Sequence, residues 1–104
     1  MSEQTSIAEA GACAGEDCVL QVLVTNQLGL HARPASQIAR EAQAFAASIS
    51  IVAQDQTADA KSILDLLTLA ASQGSTLEIR ASGQDAEMAV EKISQLFAAR
   101  FGEK

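Results

Sequence analysis

The sequence predicts an α+β fold, an open-faced β-sandwich with a four-stranded antiparallel sheet and three helices on one face. Three observations lead there. Four short segments alternate apolar and polar residues, so each has one face to bury. Two longer segments repeat apolar residues at helical spacing, and a shorter leucine-rich one opens on a capping pattern. Their order is β-α-β-β-α-β-α, and strands with one-sided alternation need only one covered face.

The first strand is VLQVLVT, residues 19–25, with Leu20, Val22 and Val24 on one face. Asn26, Gln27, Leu28 and Gly29 supply turn chemistry. Pro34 suits the first turn of a helix, where its missing N–H removes no bond. Behind it Ala35, Ile38, Ala39, Ala42 and Phe45 mark a buried stripe, opposite Gln37, Arg40, Glu41 and Gln43. Ile49 and Ile51 point inward from a second strand, Asp55-Gln56 turns the chain, and residues 57–60 return. Ser62 and Asp65 form an S-x-x-D helix start, and Gly74 is placed to end that helix near Ser72. Leu77, Ile79 and Ala81 share one side of the last strand. Gly83 turns, Asp85 can cap, and Ala86, Ala89, Val90, Ile93, Leu96 and Phe97 follow at helical spacing.

A chain of 104 residues is one domain's worth. Hydrophobic residues reach 48%, too many for a disordered protein, while aromatics reach only 3%. The core must be aliphatic and alanine-rich, and stacking of nucleic-acid bases on aromatic rings is disfavoured. The net charge is −6, concentrated in the first 18 residues, which hold Glu3, Glu9, Glu16 and Asp17 and no base. The remainder carries nine acids against seven bases, with no basic run, which argues against nucleic acid. No signal-peptide pattern and no apolar run near the ~20 residues of a membrane span is visible. A cytoplasmic monomer without membrane insertion is expected. Residues 1–17 read as a flexible acidic extension and 18–104 as the domain. In the cytoplasm Cys13 and Cys18 would be reduced thiols, and they are expected to be incidental, since a lone C-x4-C pair is a weak metal signal. No metal and no cofactor is expected.

The stretch GLHARPAS, residues 29–36, gathers the only histidine and the only proline of the chain around an arginine. A helix starting at Pro34 would aim free N–H groups and its positive dipole end toward His31. The structural alternative is an ordinary connection with a loop histidine. In the leucine-rich helix, Leu66, Leu69 and Ala70 are expected to turn inward. Ile63, Leu64 and Leu67 would then remain as an exposed apolar patch, a frequent mark of a partner site.

GLHARPAS, the later AKSILDLLTLAASQG and the element order closely resemble the HPr family. These are the histidine-containing phosphocarriers of the bacterial phosphoenolpyruvate-dependent phosphotransferase system. The resemblance runs from about residue 19 to residue 101, and the 31 positions between His31 and Ser62 fit it without insertion or deletion. It implies the open-faced β-sandwich and a relay rather than an independent enzyme. Phosphorylated enzyme I would charge His31 on its pros nitrogen, and IIA domains of sugar permeases would discharge it. Arg33 matches the arginine beside that histidine, and the backbone N–H groups of Ala32 and Arg33 are candidate phosphate donors. Ser62 matches the serine that HPr kinase/phosphorylase modifies in some bacteria; a plain helix cap is the favoured role here. Ile63, Leu64 and Leu67, extended by Arg40, form the implied docking face. Gln43 and Asp65 stand where the family often has bases, and Ala70 where glycine is common. Alternatives are the same relay in a nitrogen-regulatory or dihydroxyacetone-kinase branch, a Ser62-phosphorylated corepressor, or a metal or redox role using Cys13, Cys18 and His31.

Overall fold

The computed structural model describes residues 12–104. Its elements are β1 (Ala12–Ala14), β2 (Asp17–Leu23), α1 (Ala32–Gln43), β3 (Ser48–Ala53), β4 (Gln56–Asp59), α2 (Ile63–Thr68), β5 (Thr76–Ser82) and α3 (Ala86–Ala98). A 3-10 turn, Arg100–Gly102, follows. The strands form one antiparallel sheet in the order β1-β2-β5-β3-β4. The α+β class and the helix-covered antiparallel sheet are as the sequence predicts. The strand count is five rather than four.

Register explains the single covered face. Leu20 pairs with Ile79 and Val22 with Leu77, while Ile51 pairs with Ile79 on one side and Ala58 on the other. Side chains directly opposite one another share a face, so these residues form one apolar surface under the helices. Ser50, Glu78, Arg80 and Ser82 alternate onto the open face. The predicted helix stripes are largely buried: Ala35, Ile38, Ala39 and Ala42 from α1, and Ala86, Ala89, Val90, Ile93 and Phe97 from α3, with Phe45 and Leu96 partly buried at their edges.

The extra strand corrects the expected tail. Residues 1–11 of that segment lie outside the described residues. Residues 12–17 instead form a hairpin around Gly15, with Cys13 directly opposite Cys18. The two cysteines are joined as a disulfide, not held as free thiols. All three residues of β1 are exposed, so the strand gains little from burial. The cross-link compensates by restricting a short loop of the unfolded chain, worth up to ~2 kcal/mol. Among the described residues no cluster of three or more His, Cys, Asp or Glu could hold a metal ion, and no helix is long and apolar enough to cross a membrane.

Two helix ends also differ from expectation. Helix α2 stops at Thr68, well before Gly74, because Ala70 takes a left-handed conformation at φ 49°. That left-handed turn explains why glycine suits the position. It also leaves Ala70 exposed rather than inward, while Leu66 and Leu69 are buried as expected. Asp85 stands at the start of α3 but does not cap it with its side chain. Its carboxylate accepts hydrogen bonds from the N–H groups of Ala46 (2.9 Å) and Ala47 (2.8 Å), tying α3 to the start of β3. The Ala46 bond leads the causes that hold its carboxyl below the usual range, with Ala47 and the charge of Lys61 adding to it.

Gly29 is the most closely packed of the described glycines. Its φ is +70°, and a Cβ there would lie 2.5 Å from the carbonyl oxygen of Ala71 and 2.9 Å from Cα of Ser72. The adjacent Leu30 N–H donates to that same Ala71 oxygen at 2.8 Å. Gly29→Ala is therefore expected to lower the free energy of unfolding by ~2 kcal/mol or more, from combined strain and overlap. Ala70→Gly is expected to raise it by ~0.5–1 kcal/mol, because relief of the left-handed turn outweighs the added entropy of the unfolded chain. Urea denaturation of both variants measures the two signs.

Candidate functional site

The candidate site is built where the loop after β2 runs into α1. His31 is the N-cap residue of α1, in an extended conformation, and its side chain remains 34% exposed. Its carbonyl already accepts from Ala35, so the helix begins immediately behind the ring. Ala32 and Arg33 occupy the first two helical positions, where backbone N–H groups have no acceptor one turn back. Pro34 follows and has no N–H, so these two are the donors the helix end presents. Both Ala32 and Arg33 are exposed. The α1 dipole adds partial positive charge at this end.

The chain terminus closes the other side. Nε2 of His31 lies 2.9 Å and 2.8 Å from the two carboxylate oxygens of Glu103. A carboxylate only accepts, so Nε2 must carry the proton. In the neutral ring the lone pair then sits on Nδ1, which has no hydrogen-bond partner among the described residues. The His31 contact is the leading cause that holds the Glu103 carboxyl below its ordinary value, followed by the Asn26 amide and the charge of Arg33. Asn26 is fully buried, and its Nδ2 donates to Gly29 O at 2.8 Å and to Glu103 Oε1 at 2.9 Å.

The terminus is itself anchored. Phe101 is buried and meets Phe97 edge-to-face at 4.9 Å between ring centres. Gln37 Nε2 donates to Phe101 O at 3.1 Å, and Gln27 N donates to Lys104 O at 2.6 Å. Arg100 and Phe101 both take positive φ, which bends the chain after α3.

The surface leads to what the ring could meet. Ile63, Leu64 and Leu67 are exposed, Leu64 at 75%. Arg40 is exposed in the last turn of α1. Ser62 caps α2, its Oγ accepting from Asp65 N at 3.2 Å. The Asp65 carboxylate in turn accepts from Asp59 N at 3.1 Å.

His31 thus stands at the start of α1, and α2, with its exposed apolar residues, packs against α1. Residues 19–99 match the family described as the PTS HPr component phosphorylation site. The chain belongs to the HPr family. It is 40% identical over 73 residues to the phosphocarrier protein HPr of Mycoplasma capricolum, covering 70% of this chain and 82% of that protein. It is 43% identical over 83 residues to the phosphocarrier protein NPr of Shewanella violacea, covering 80% and 91% respectively. Among solved structures, an HPr of Thermoanaerobacter tengcongensis superposes with a TM-score of 0.79 at 32% identity, over 83% of this chain and 97% of that one. An HPr of Bacillus anthracis gives 0.75 at 36%, over 80% and 99%. As an HPr-family protein the chain is a phosphocarrier of the phosphotransferase system.

Glu103 and Asn26 complete the His31 neighbourhood that local motifs did not single out, and Leu28 stands exposed in the loop before it. Glu103 lies 72 positions from His31, and no spacing rule connects them. Asn26 reads as turn chemistry in the sequence, yet it is the one buried polar residue among those described. Leu28, 74% exposed in the loop before the histidine, offered the most direct signal as an apolar residue with no stripe to join.

A carboxyl held below its ordinary value in the folded state stabilises that state at higher pH. This contribution is present above the unfolded value and is lost as pH falls through the folded one. For Glu103 the loss starts near the ordinary value of 4.5 and runs to lower pH. Urea midpoints measured from pH ~6 down to pH ~2 are expected to fall less steeply in Glu103→Gln than in the wild type.

Proposed function

We propose that this HPr-family phosphocarrier is a relay that takes a phosphoryl group from phosphorylated enzyme I onto Nδ1 of His31 and hands it to IIA domains of sugar permeases. The observation that carries this reading is the occupation of Nε2 by Glu103, which leaves Nδ1 as the lone-pair nitrogen of the residue that opens α1. A neutral imidazole keeps one ring nitrogen with a free lone pair and can act as a nucleophile. Transfer then depends mainly on positioning and charge.

Ala32 and Arg33 are the proposed phosphate donors through their N–H groups, and the Arg33 guanidinium adds charge-assisted bonds. The helix dipole contributes roughly 0.3–1 kcal/mol toward an anion at this end. Such modest holding suits a group that must be passed on. Ile63, Leu64 and Leu67 form the proposed docking face, with Arg40 at its margin. Ser62 serves first as the α2 cap, a role its bond from Asp65 N supports. Phosphorylation of Ser62 would place like charge beside Asp65 and at the edge of the apolar face.

A second reading is the same relay in a nitrogen-regulatory branch. Two observations favour it: the 43% identity to an NPr, and the acidic or neutral residues Asp59, Asp65 and Gln43 around the docking helix. These would steer acidic partners weakly. Purified enzyme I and labelled phosphoenolpyruvate are expected to add one acid-labile phosphoryl group to the wild type and none to His31→Ala. Equal labelling of the two defeats the relay reading. Offering the charged protein to sugar-type and regulatory IIA domains separates the branches. Leu64→Glu is expected to weaken acceptance from enzyme I by about tenfold through KM, with little change in stability, as for loss of one apolar anchor.

A further inference from the structure

Asn26 is the residue that the proposed chemistry leaves without a role. It is fully buried, and its Oδ1 is a buried atom with no hydrogen-bond partner. An orphaned buried acceptor is disfavoured by ~1–3 kcal/mol, so the other half of the amide must be doing something that apolar packing would not. Both Nδ2 bonds go to acceptors, the Gly29 carbonyl and Glu103 Oε1. Turning the amide over would set Oδ1 against two oxygens, so its orientation is fixed. The same Glu103 Oε1 also meets His31 Nε2.

We propose that Asn26 is a positioning residue for phosphoryl transfer, acting on the His31 ring through Glu103; this rests on the relay reading above. Asn26 holds Oε1 from the buried side, and Glu103 then presents both oxygens to Nε2. The proton is thereby kept on Nε2 and the ring plane is set. In the transfer step the Nδ1 lone pair of His31 forms a bond to phosphorus as the nitrogen–phosphorus bond of a phosphohistidine donor breaks. The bonding pair returns to the donor ring, which leaves as neutral imidazole. The Nε2 proton of His31 does not move. The positive charge gained by the phosphorylated ring faces the Glu103 carboxylate, and the reverse sequence discharges it to an acceptor. An undocked Glu103 would let the ring rotate and the proton exchange between nitrogens, so fewer encounters would find Nδ1 ready.

A purely structural role is the competing explanation, since Asn26 also ties down the loop through Gly29. A double-mutant cycle separates the two. Phosphoryl acceptance from charged enzyme I is measured for wild type, Asn26→Ala, Glu103→Gln and the double variant, over a range of pH. Asn26→Ala is expected to slow acceptance about tenfold, and to slow the Glu103→Gln background no further. The charged or titratable groups facing Glu103 among the described residues are His31 and Arg33. With the Asn26 donor gone, the acid limb of the rate profile is expected to move to higher pH; in Glu103→Gln that shift is absent. Asn26→Asp, of nearly the same shape, serves if the alanine variant folds poorly: its carboxylate opposes that of Glu103 and moves the limb the same way. Effects that multiply in the double variant, or an Asn26→Ala profile that matches wild type, overturn the positioning role while leaving the relay standing. A wild type that takes no label overturns both.

Discussion

The bond between His31 and Glu103 is the contact on which the site depends, because it joins the start of α1 to the segment that follows α3. Neither partner can make it alone. The ring must leave a loop held by Gly29 against Ala71, and the carboxylate must arrive from a terminus bent at Arg100 and Phe101. Left-handed backbone at two non-glycine residues is unfavourable by ~1–2 kcal/mol each. Burial of Phe101 against Phe97 offsets much of it. The fold thus stabilises a bend whose visible consequence is to bring Glu103 to the ring.

The sheet order makes that meeting possible. Strand β2 lies beside β5, and α3 follows β5 and packs back over β2. The end of α3 therefore returns to the end of β2, where the histidine loop begins. Val24 exchanges hydrogen bonds with Gly74 and Ser75, closing the same end of the sheet before β5. Two distant stretches of sequence become neighbours through antiparallel pairing, and the site sits at their seam.

What was legible in the sequence follows from how local its cause is. Period-two alternation around Leu20, Ile51 and Ile79 and the stripes of α1 and α3 are short-range patterns, and each matches the observed burial. His31, Ala32, Arg33 and Pro34 are contiguous, so a helix start could be recognised in one glance at the chain. The exposure of Ile63, Leu64 and Leu67 followed from counting apolar residues on a helix too short to bury them. What escaped was non-local or conformational. Glu103 meets His31 only through tertiary bends, and Asn26 looks like any turn asparagine until its burial is seen. Cys13 and Cys18 were misjudged because their reduced state was inferred from a default location, while hairpin pairing sets them opposite one another. Ala70 was placed inward by extending the helical period past the point where a positive φ ends it.

For the proposed relay, the distribution of charge around the ring explains why it could work in both directions. Next to His31 the start of α1 offers two free N–H groups, since Pro34 withholds a third, and an arginine exposed to solvent. A phosphoryl group there would be oriented but not enclosed. Behind the ring a single carboxylate, itself held by a buried amide, faces Nε2–H. That carboxylate would favour the charged, phosphorylated ring just enough to accept the group. By keeping the proton in place it would also let the ring depart as neutral imidazole rather than as an anion. Stronger binding in front would trap the phosphoryl group, and an apolar wall behind would make the charged ring too unfavourable to form. The arrangement balances these two demands with groups that stand 72 positions apart in the sequence.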